Sequence, residues 1–586
     1  MILSQLYIKG FRNFKEATIN FNQHSLIIGA NDVGKTNLIY AIRLLLDRGF
    51  SEYDYELDFS DFYAFEPTDE IIIRLSLIDV VEDCIQARMP GQISDDKKLV
   101  IQYKAHKVDS HVEYQFYTGR SVEDLTECDG PFYKKYLNIK YISSRRDFWS
   151  YINRIKTKLL IESKEGREAE DVASDEVLYD DIVKMLKDVD EKIPNLSYIK
   201  NATTQINTEL DKLSIHHNEQ KLVFDTSSTE IDNVINKVSL ISQIGDKKTA
   251  VGGDGRLNQI YLSLWALENQ QNQLSSEVSI VCIEEPEAYL HPHQQRKLAS
   301  YLNGIFQGQI ILTSHSPQIA CEFSPNSIIR LFKDGRRSIA ASDGCSDIIR
   351  QGFEDFGYRM SIIPAEAFFS DFVVLVEGQS ELVFYKTLSK QLNIDLDRFN
   401  ISVLSVEGVG FQTYISILNA LGISWSLRTD NDILKIPNKE EYRYAGIERV
   451  VAIMKKYCNL TAEESAIIDV NSKFIHGFGD KDNISEPVKN AATALCNLAS
   501  SHAIYLAKKD LETDLLNSEI KDSLVSFYGD GLSEESILEK MKEHKAVNMY
   551  KYLKEKKEEL TRLKDNELLA PIKSALKSIT QLYETN

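Results

Sequence analysis

Two groups of residues in this 586-residue chain have the types and spacing needed for chemistry. The first is a set of carboxylates. Glu377 closes the apolar run "FVVLVEG", Glu381 follows four positions on, and Asp430 and Asp432 flank Asn431 in "RTDND". Alone, "RTDND" reads first as a polar turn, because Asp and Asn are common turn residues. Taken together, oxygen-only ligands without His or Cys suit a hard ion such as Mg²⁺ or Mn²⁺. Two pairs suit two ions, a set able to hydrolyse a phosphodiester. The second group is the loop Gly29-Ala30-Asn31-Asp32-Val33-Gly34-Lys35-Thr36, which fits GxxxxGK[ST] at every fixed position. Its glycines turn backbone N–H groups onto phosphate at a helix N-terminus. Lys35 reaches the β and γ oxygens, and Thr36 offers its hydroxyl to Mg²⁺.

Both groups need a scaffold that brings strand ends together. "SLIIGANDVGKTNLIYAIRLLL" (25–46) reads as an apolar strand, the phosphate loop and a helix with apolar residues at 38, 41, 44 and 45. "VSIVCIEEPEAYLHPHQQRKLASYL" (278–302) is a buried strand ending in Glu284, Glu285 and Glu287, and "GQIILTSHSPQI" (308–319) is another, ending in Ser314-His315-Ser316. In a doubly wound sheet such ends gather at one edge. Glu284 then belongs in the Mg²⁺ shell, Glu285 positions or deprotonates the attacking water, and His315 senses the γ-phosphate. A helix-terminal acid cluster and a satisfied turn histidine are the plainer alternatives.

The carboxylates lie on a similar frame. "FSDFVVLVEGQSELVFYKTLSKQL" (369–392), "ISVLSVEG", "FQTYISILNALG" and "ISWSLRTDND" alternate strand and helix as βαβαβ, which right-handed crossovers place in one parallel sheet. Glu377 and Asp430 then stand at the C-terminal ends of its strands. A second "VEG", at Val406-Glu407-Gly408, lacks the acid four positions on, so Glu407 is a bystander.

Composition sets the outer limits. The length suggests about three or four domains. The fractions of 43% hydrophobic and 27% charged residues describe a globular chain and exclude disorder as its main state. Seven cysteines without a CxxC pair argue against a disulfide framework and a zinc site. The opening "MILSQLYIKGFRNF" is not a leader pattern, and no run of about 18 apolar residues occurs, so a soluble cytoplasmic protein without membrane contact is expected. A net charge of −20 lacks the basic footprint of many nucleic-acid binders, although bound metal and a local Lys/Arg patch can still hold phosphate.

"YIKGFRNF", "IEEPEAYLHP" and "TSHSP" resemble the SMC/RecF-type ABC ATPase head. Such heads bury ATP between two copies, the second offering a signature loop, here "VGGDGRLNQIYLSLWAL" around Gly253-Asp254-Gly255-Arg256. Gly252 stands where the family has Ser, Glu284 where it has Asp, and Asp61 of "FSDFY" where a Q-loop glutamine is usual. These departures favour nucleotide binding over brisk hydrolysis. The βαβαβ run resembles a TOPRIM domain, and a head joined to a TOPRIM domain resembles the OLD (overcoming lysogenization defect) nucleases, in particular those of the Gabija anti-phage type. That resemblance extends to "IYLAKKDLETDL" and "KAVNMY", which composition alone reads as an exposed charged loop and a solvated lysine. It implies Asp510 and Glu512 as further metal ligands and Lys545 as the cation that stabilises the transition-state phosphate. It also implies double-stranded DNA as substrate, a homo-oligomer (dimer or tetramer) and a separately encoded helicase partner.

The expected fold is α/β: an ABC/SMC-type head (1–150 and 246–345) interrupted by a helical, dimerising insert (151–245). A Rossmann-like parallel-sheet TOPRIM domain with a C-terminal helical extension follows (346–586). The expected function is a nucleotide-regulated, Mg²⁺- or Mn²⁺-dependent DNA endonuclease with ATP in the head. A non-nucleolytic DNA-repair or clamp ATPase and a TOPRIM primase or topoisomerase are the alternatives.

Overall fold

Burial alternates residue by residue along Glu70–Ile78, the mark of a strand with one dry face and one wetter face. In the computed structural model it is the third strand of a six-stranded antiparallel sheet. The order is Phe14–Asn20, Ile2–Phe11, Glu70–Ile78, Leu99–Val108, His111–Gly119 and Leu125–Cys128. The structure describes residues 1–109, 111–213, 242–244, 246–249, 252–271, 277–305, 308–347, 365–408, 410–481, 483–529 and 531–584.

Continuous burial replaces alternation along Ile310–Thr313, as expected of a parallel strand covered on both faces. It belongs to a second six-stranded sheet ordered Arg337–Ala340, Ile328–Asp334, His24–Ile28, Ile310–Thr313, Val278–Glu284 and Leu137–Ile142. All neighbours in it are parallel except the Arg337–Ala340 edge. The phosphate loop leaves the strand His24–Ile28, and the strands carrying Glu284 and leading to Ser314 lie on one side of it. One core, with Leu26's neighbour Ile27, Leu38, Ile42, Ile73, Ile101, Ile280 and Ile311 in place, joins the two sheets through the helix Lys35–Leu46.

A third sheet has four parallel strands in the order Ile401–Ser405, Phe372–Val376, Ser424–Thr429 and Ile504–Leu506. The expected βαβαβ path supplies three of them, with helices Gln379–Gln391 and Phe411–Ala420 between. The fourth comes from "IYLAKKD" and brings Asp510 and Glu512 to the same edge. Leu553, Ile572 and Ile579 of the C-terminal helices share one core with Phe372, Val374 and Phe384, so the extension is part of this domain's packing.

The two parallel sheets belong to one compact unit, Met1–Ser144 with Leu274–Asn586. Arg330, on Ile328–Asp334 and only 3% exposed, joins them. It donates to the carbonyls of Phe368 (3.1 Å), Leu421 (3.1 Å) and Ser370 (2.8 Å), and lies 3.4 Å from Asp371. Gly422 (φ 63°) permits the approach, because a Cβ there would stand 3.0 Å from the Phe332 ring. Arg330→Ala removes the donors and leaves buried carbonyls unpaired, a cost of roughly 2–4 kcal/mol. A urea denaturation midpoint clearly below wild type is expected; an unchanged midpoint would show the contact to be dispensable.

Arg145–Gln273 forms the second compact unit. Its helices are Phe148–Glu165, Ala169–Lys192, Ser197–Leu213 and Asp254–Gln271, with a hairpin of Ser242–Ile244 and Lys247–Thr249. This unit is wider than 151–245 because the helix carrying Asp254, Gly255 and Arg256 packs on Phe148–Glu165. The Tyr151 and Tyr261 rings are 4.2 Å apart, and Glu268 takes the Tyr151 hydroxyl at 3.1 Å and Lys158 at 3.1 Å. Residues 214–241 and Gly245 of the expected insert, and Val251 at the head of the signature stretch, lie outside the described residues.

Candidate active site

The phosphate loop is held open by glycine. A Cβ at Gly34 (φ 96°) would meet Asn13 Nδ2 at 1.9 Å, and one at Gly29 (φ 151°) would meet the Leu331 carbonyl at 2.5 Å. Lys35 Nζ donates to the carbonyls of Gly29 (2.9 Å) and Ala30 (2.8 Å), and burial lowers its pKa to about 8. Asn31, Gly34, Lys35 and Thr36 thus surround a cradle whose backbone N–H groups sit at a helix N-terminus, a fit for phosphate.

Glu284 is buried at the end of its strand and accepts the Tyr141 hydroxyl at 2.9 Å. Burial raises its pKa. Glu285 has a left-handed backbone (φ 45°), its N–H bonds the Thr313 carbonyl at 3.0 Å, and its carboxylate lies 3.7 Å from His315. Burial, then Lys35, lowers the His315 pKa, so the ring is neutral near pH 7. Glu287 accepts Ser314 Oγ (2.7 Å) and the His315 N–H (2.8 Å), which fixes the turn that presents His315. Asp61 pairs with Arg12 at 2.7 Å.

The second site lies at the C-terminal edge of the four-stranded sheet. Glu377 directly follows Phe372–Val376 and Asp430 directly follows Ser424–Thr429, on neighbouring strands. The Asp430 N–H donates to Glu377 Oε1 at 3.0 Å. Glu381, in the first turn of Gln379–Gln391, accepts the Gly378 N–H at 2.8 Å. Asp510 caps the helix Leu511–Leu516 by accepting the Thr513 N–H at 2.9 Å and pairs with Lys542. Glu512, 2% exposed, accepts Ser380 Oγ at 3.3 Å. Lys545 opens the helix Lys545–Lys556, with its ammonium 3.2 Å from Glu512 and 3.8 Å from Asp430. Asp432 is the most exposed of the acids that pair there.

Electrostatics show that these acids feel one another. Burial, then Glu377 and Glu381, push the Asp430 pKa up to about 8. Burial, with Glu377 and Glu512 adding to it, pushes Glu381 up to about 7. Burial opposes the charge on Lys545, but Glu512 and Asp430 more than offset it and raise its pKa. An all-oxygen, mutually repelling donor set fits a hard divalent ion. Among the described residues, no three acidic, histidine or cysteine side chains are placed closely enough to hold an ion as they stand. Internal cations take part of that role: Lys545, Lys542 and Arg449, whose Nη1 is 2.6 Å from Glu377 Oε1.

Arg449, Tyr141 and Arg330 escaped the reading of the sequence. Arg449 and Glu377 are 72 positions apart, and nothing in "GIERVVAIM" marks an arginine aimed at a strand end. Glu407 accepts Ser405 Oγ at 3.0 Å and also the Gln379 side-chain amide, from the turn between Glu377 and Glu381.

A profile for the "Overcoming lysogenization defect protein-like, TOPRIM domain" matches residues 368–432, and one for "AAA domain, putative AbiEii toxin, Type IV TA system" matches residues 25–322. The chain is 25% identical over 548 residues to "Endonuclease GajA" of Bacillus cereus (strain VD045), covering 88% of this chain and 90% of that one. It is 25% identical to the "OLD nuclease" of Thermus scotoductus over 75% of this chain and 84% of that one. It is 23% identical to the "Old nuclease" of Escherichia phage P2 over 74% and 77%. Among solved structures, an SmcHead bound to the C-winged helix domain of ScpA covers 58% of this chain and 97% of that one, with 14% identity and a TM-score of 0.37. With an AAA domain over half its length and an OLD-like TOPRIM domain after it, the chain belongs to the OLD nuclease family.

Proposed function

We propose that this chain is a divalent-metal-dependent DNA endonuclease under nucleotide control, acting in anti-phage defence. One observation carries the reading: Glu377 and Asp430 stand side by side at neighbouring parallel strand ends, with Lys545 reaching from Asp430 to Glu512. Relatives named GajA endonuclease and OLD nuclease span most of the chain and support it. Glu377, Glu381, Asp430 and Asp432, with Asp510 and Glu512, would hold two Mg²⁺ or Mn²⁺ ions. Those ions would activate the attacking water and neutralise the leaving oxygen. Lys545 offers its charge to the phosphate oxygens of double-stranded DNA. Glu377 also orders the edge by accepting the Asp430 N–H and the Thr429 hydroxyl.

ATP with Mg²⁺ would sit on Gly29, Asn31, Gly34, Lys35 and Thr36 with Glu284, while Glu285 positions water and His315 meets the γ-phosphate. The head would comprise 1–150 and 246–345, interrupted by a dimerising helical insert at 151–245, with the TOPRIM domain and its helical extension at 346–586. The insert carries an exposed apolar stripe, Leu178, Ile182, Met185 and Val189, spaced to face one side of the helix Ala169–Lys192 and suited to a second copy. No helix among the described residues is long and apolar enough to cross a membrane. A cytoplasmic location and a separately encoded helicase complete the reading.

The test is supercoiled plasmid incubated with purified protein and Mn²⁺, with and without EDTA. Nicked or linear product that EDTA abolishes supports the endonuclease. Plasmid bound but left uncut would favour the second reading, a clamp ATPase whose acids, most of them paired with Lys545, Lys542 or Arg449, are structural.

Lys545 is 43% exposed and free to turn toward substrate, so it should act on charge that develops as the bond breaks. Lys545→Ala is expected to lower the single-turnover rate by roughly 10²–10³-fold while changing DNA affinity little. Weak binding at a normal rate would make it a plain phosphate contact instead.

A further inference from the structure

We infer that Arg449 is a built-in counter-ion that occupies Glu377 while no divalent ion is bound, and that ion loading must displace it. This rests on the reading of the sheet-edge acids as ion ligands.

The position of Arg449 is imposed by backbone. Its helix, Ala445–Tyr457, is pressed onto the "TDND" turn: the Ala445 N–H donates to the Asp432 carbonyl at 2.8 Å. A Cβ at Gly446 would meet the Asp430 carbonyl at 2.4 Å and Asn431 Cα at 2.7 Å, so this approach requires glycine. One turn on, the guanidinium enters the edge only 15% exposed. Nη1 lies 2.6 Å from Glu377 Oε1 and also bonds Thr429 Oγ1, while Nη2 lies 3.4 Å from Asp432 Oδ2.

Glu377 Oε1 therefore receives three donors: Arg449, the Thr429 hydroxyl and the Asp430 N–H. Oε1 so engaged has little lone-pair density left, so an ion that takes both oxygens of Glu377, or Oε1 itself, has to displace Arg449. A fixed positive charge at this distance also repels an incoming dication. Arg449 thus does two opposed things. It relieves repulsion among the acids when no ion is present, and it sets a threshold that the ion must overcome. Lys545 also touches the acids but is far more exposed, so it can leave without breaking a buried fork.

The experiment measures Mn²⁺ binding by EPR to full-length protein without nucleotide, and melting temperature in EDTA and in saturating Mn²⁺. Wild type, Arg449→Met, Arg449→Gln and Glu377→Ala are compared. Both arginine variants are expected to bind Mn²⁺ about tenfold or more tightly than wild type. They should also melt lower than wild type in EDTA and gain more from Mn²⁺. Unchanged or weaker Mn²⁺ binding by both arginine variants, with Glu377→Ala weaker than wild type, would overturn the inference and make Arg449 a support for ligand geometry. Mn²⁺ binding by Glu377→Ala equal to wild type would instead remove the ion-ligand reading beneath it.

Discussion

Glu377→Ala is expected to lower plasmid cleavage by roughly a thousandfold or more, while the protein keeps its oligomeric state and melts close to wild type. The asymmetry follows from where Glu377 stands. It is the first residue beyond a buried strand, outside the apolar core built on Phe372, Val374 and Val376. Removing it costs the partners at Glu377 Oε1 one acceptor, yet Arg449 keeps Asp432 within reach. Asp430 sharpens the case. Its pKa of about 8 is raised by burial and by Glu377 and Glu381. A carboxyl whose folded pKa exceeds its unfolded value binds more protons when folded, so the ion-free protein loses stability as pH rises from about 4 to 8. Asp430→Asn removes that penalty. In EDTA at pH 8 it should therefore be at least as stable as wild type, though inactive. An Asp430→Asn protein that melts well below wild type under those conditions would mark the acid as structural.

The second large effect concerns the head. A nuclease that is always armed would cut its host's own DNA, and under the proposed nucleotide control the phosphate loop would be the sensor. We expect ATP to suppress cleavage by wild type, and Lys35→Ala to cut equally with and without it. A physical route exists within one compact unit. The strand His24–Ile28, which leads into the loop, pairs with Ile328–Asp334, whose Arg330 grips the carbonyls of Phe368, Ser370 and Leu421. A cavity of about 250 Å³ is lined by Ala30 and Asn31 of the loop and by Asp371 and Gly422 of the TOPRIM domain. ATP can shift an equilibrium only by its differential affinity for the two states. A tenfold bias needs about 1.4 kcal/mol, within the reach of one γ-phosphate contact such as His315. The assay holds free Mg²⁺ fixed, so that chelation by ATP is not mistaken for control. Faster cleavage with ATP, or a Lys35→Ala protein that is inactive without ATP, would reverse the sign of the switch.

Local pattern carried much of this architecture in the sequence. Apolar runs closed by Gly29, Glu284, Ser314, Glu377 and Asp430 predict parallel strands with chemistry at their ends, because a buried strand must end where polar residues begin. The run "IYLAKKD" is too short to stand out from composition, and it became the fourth strand only through pairing with Leu427, Arg428 and Thr429. Arg330 and Arg449 illustrate a different blindness. Each owes its position to the close approach of distant backbone, at Gly422 and Gly446, and a single glycine in a sequence does not say what it touches. The second unit is wider than expected for a related reason. The helix Asp254–Gln271 reads by motif as part of the head but packs by its Tyr261 and Glu268 against Tyr151 and Lys158.

The acids of the four-stranded sheet are proposed to cut DNA with the help of divalent ions. This is tested most directly by the single-turnover plasmid cleavage rate of EDTA-stripped protein, measured against free Mn²⁺ for wild type and Asp430→Asn. A saturable rise from no detectable cleavage is expected in wild type, and a flat line near zero in the variant. Cleavage by stripped wild type that ignores added Mn²⁺, or an Asp430→Asn curve that overlies wild type, would contradict it.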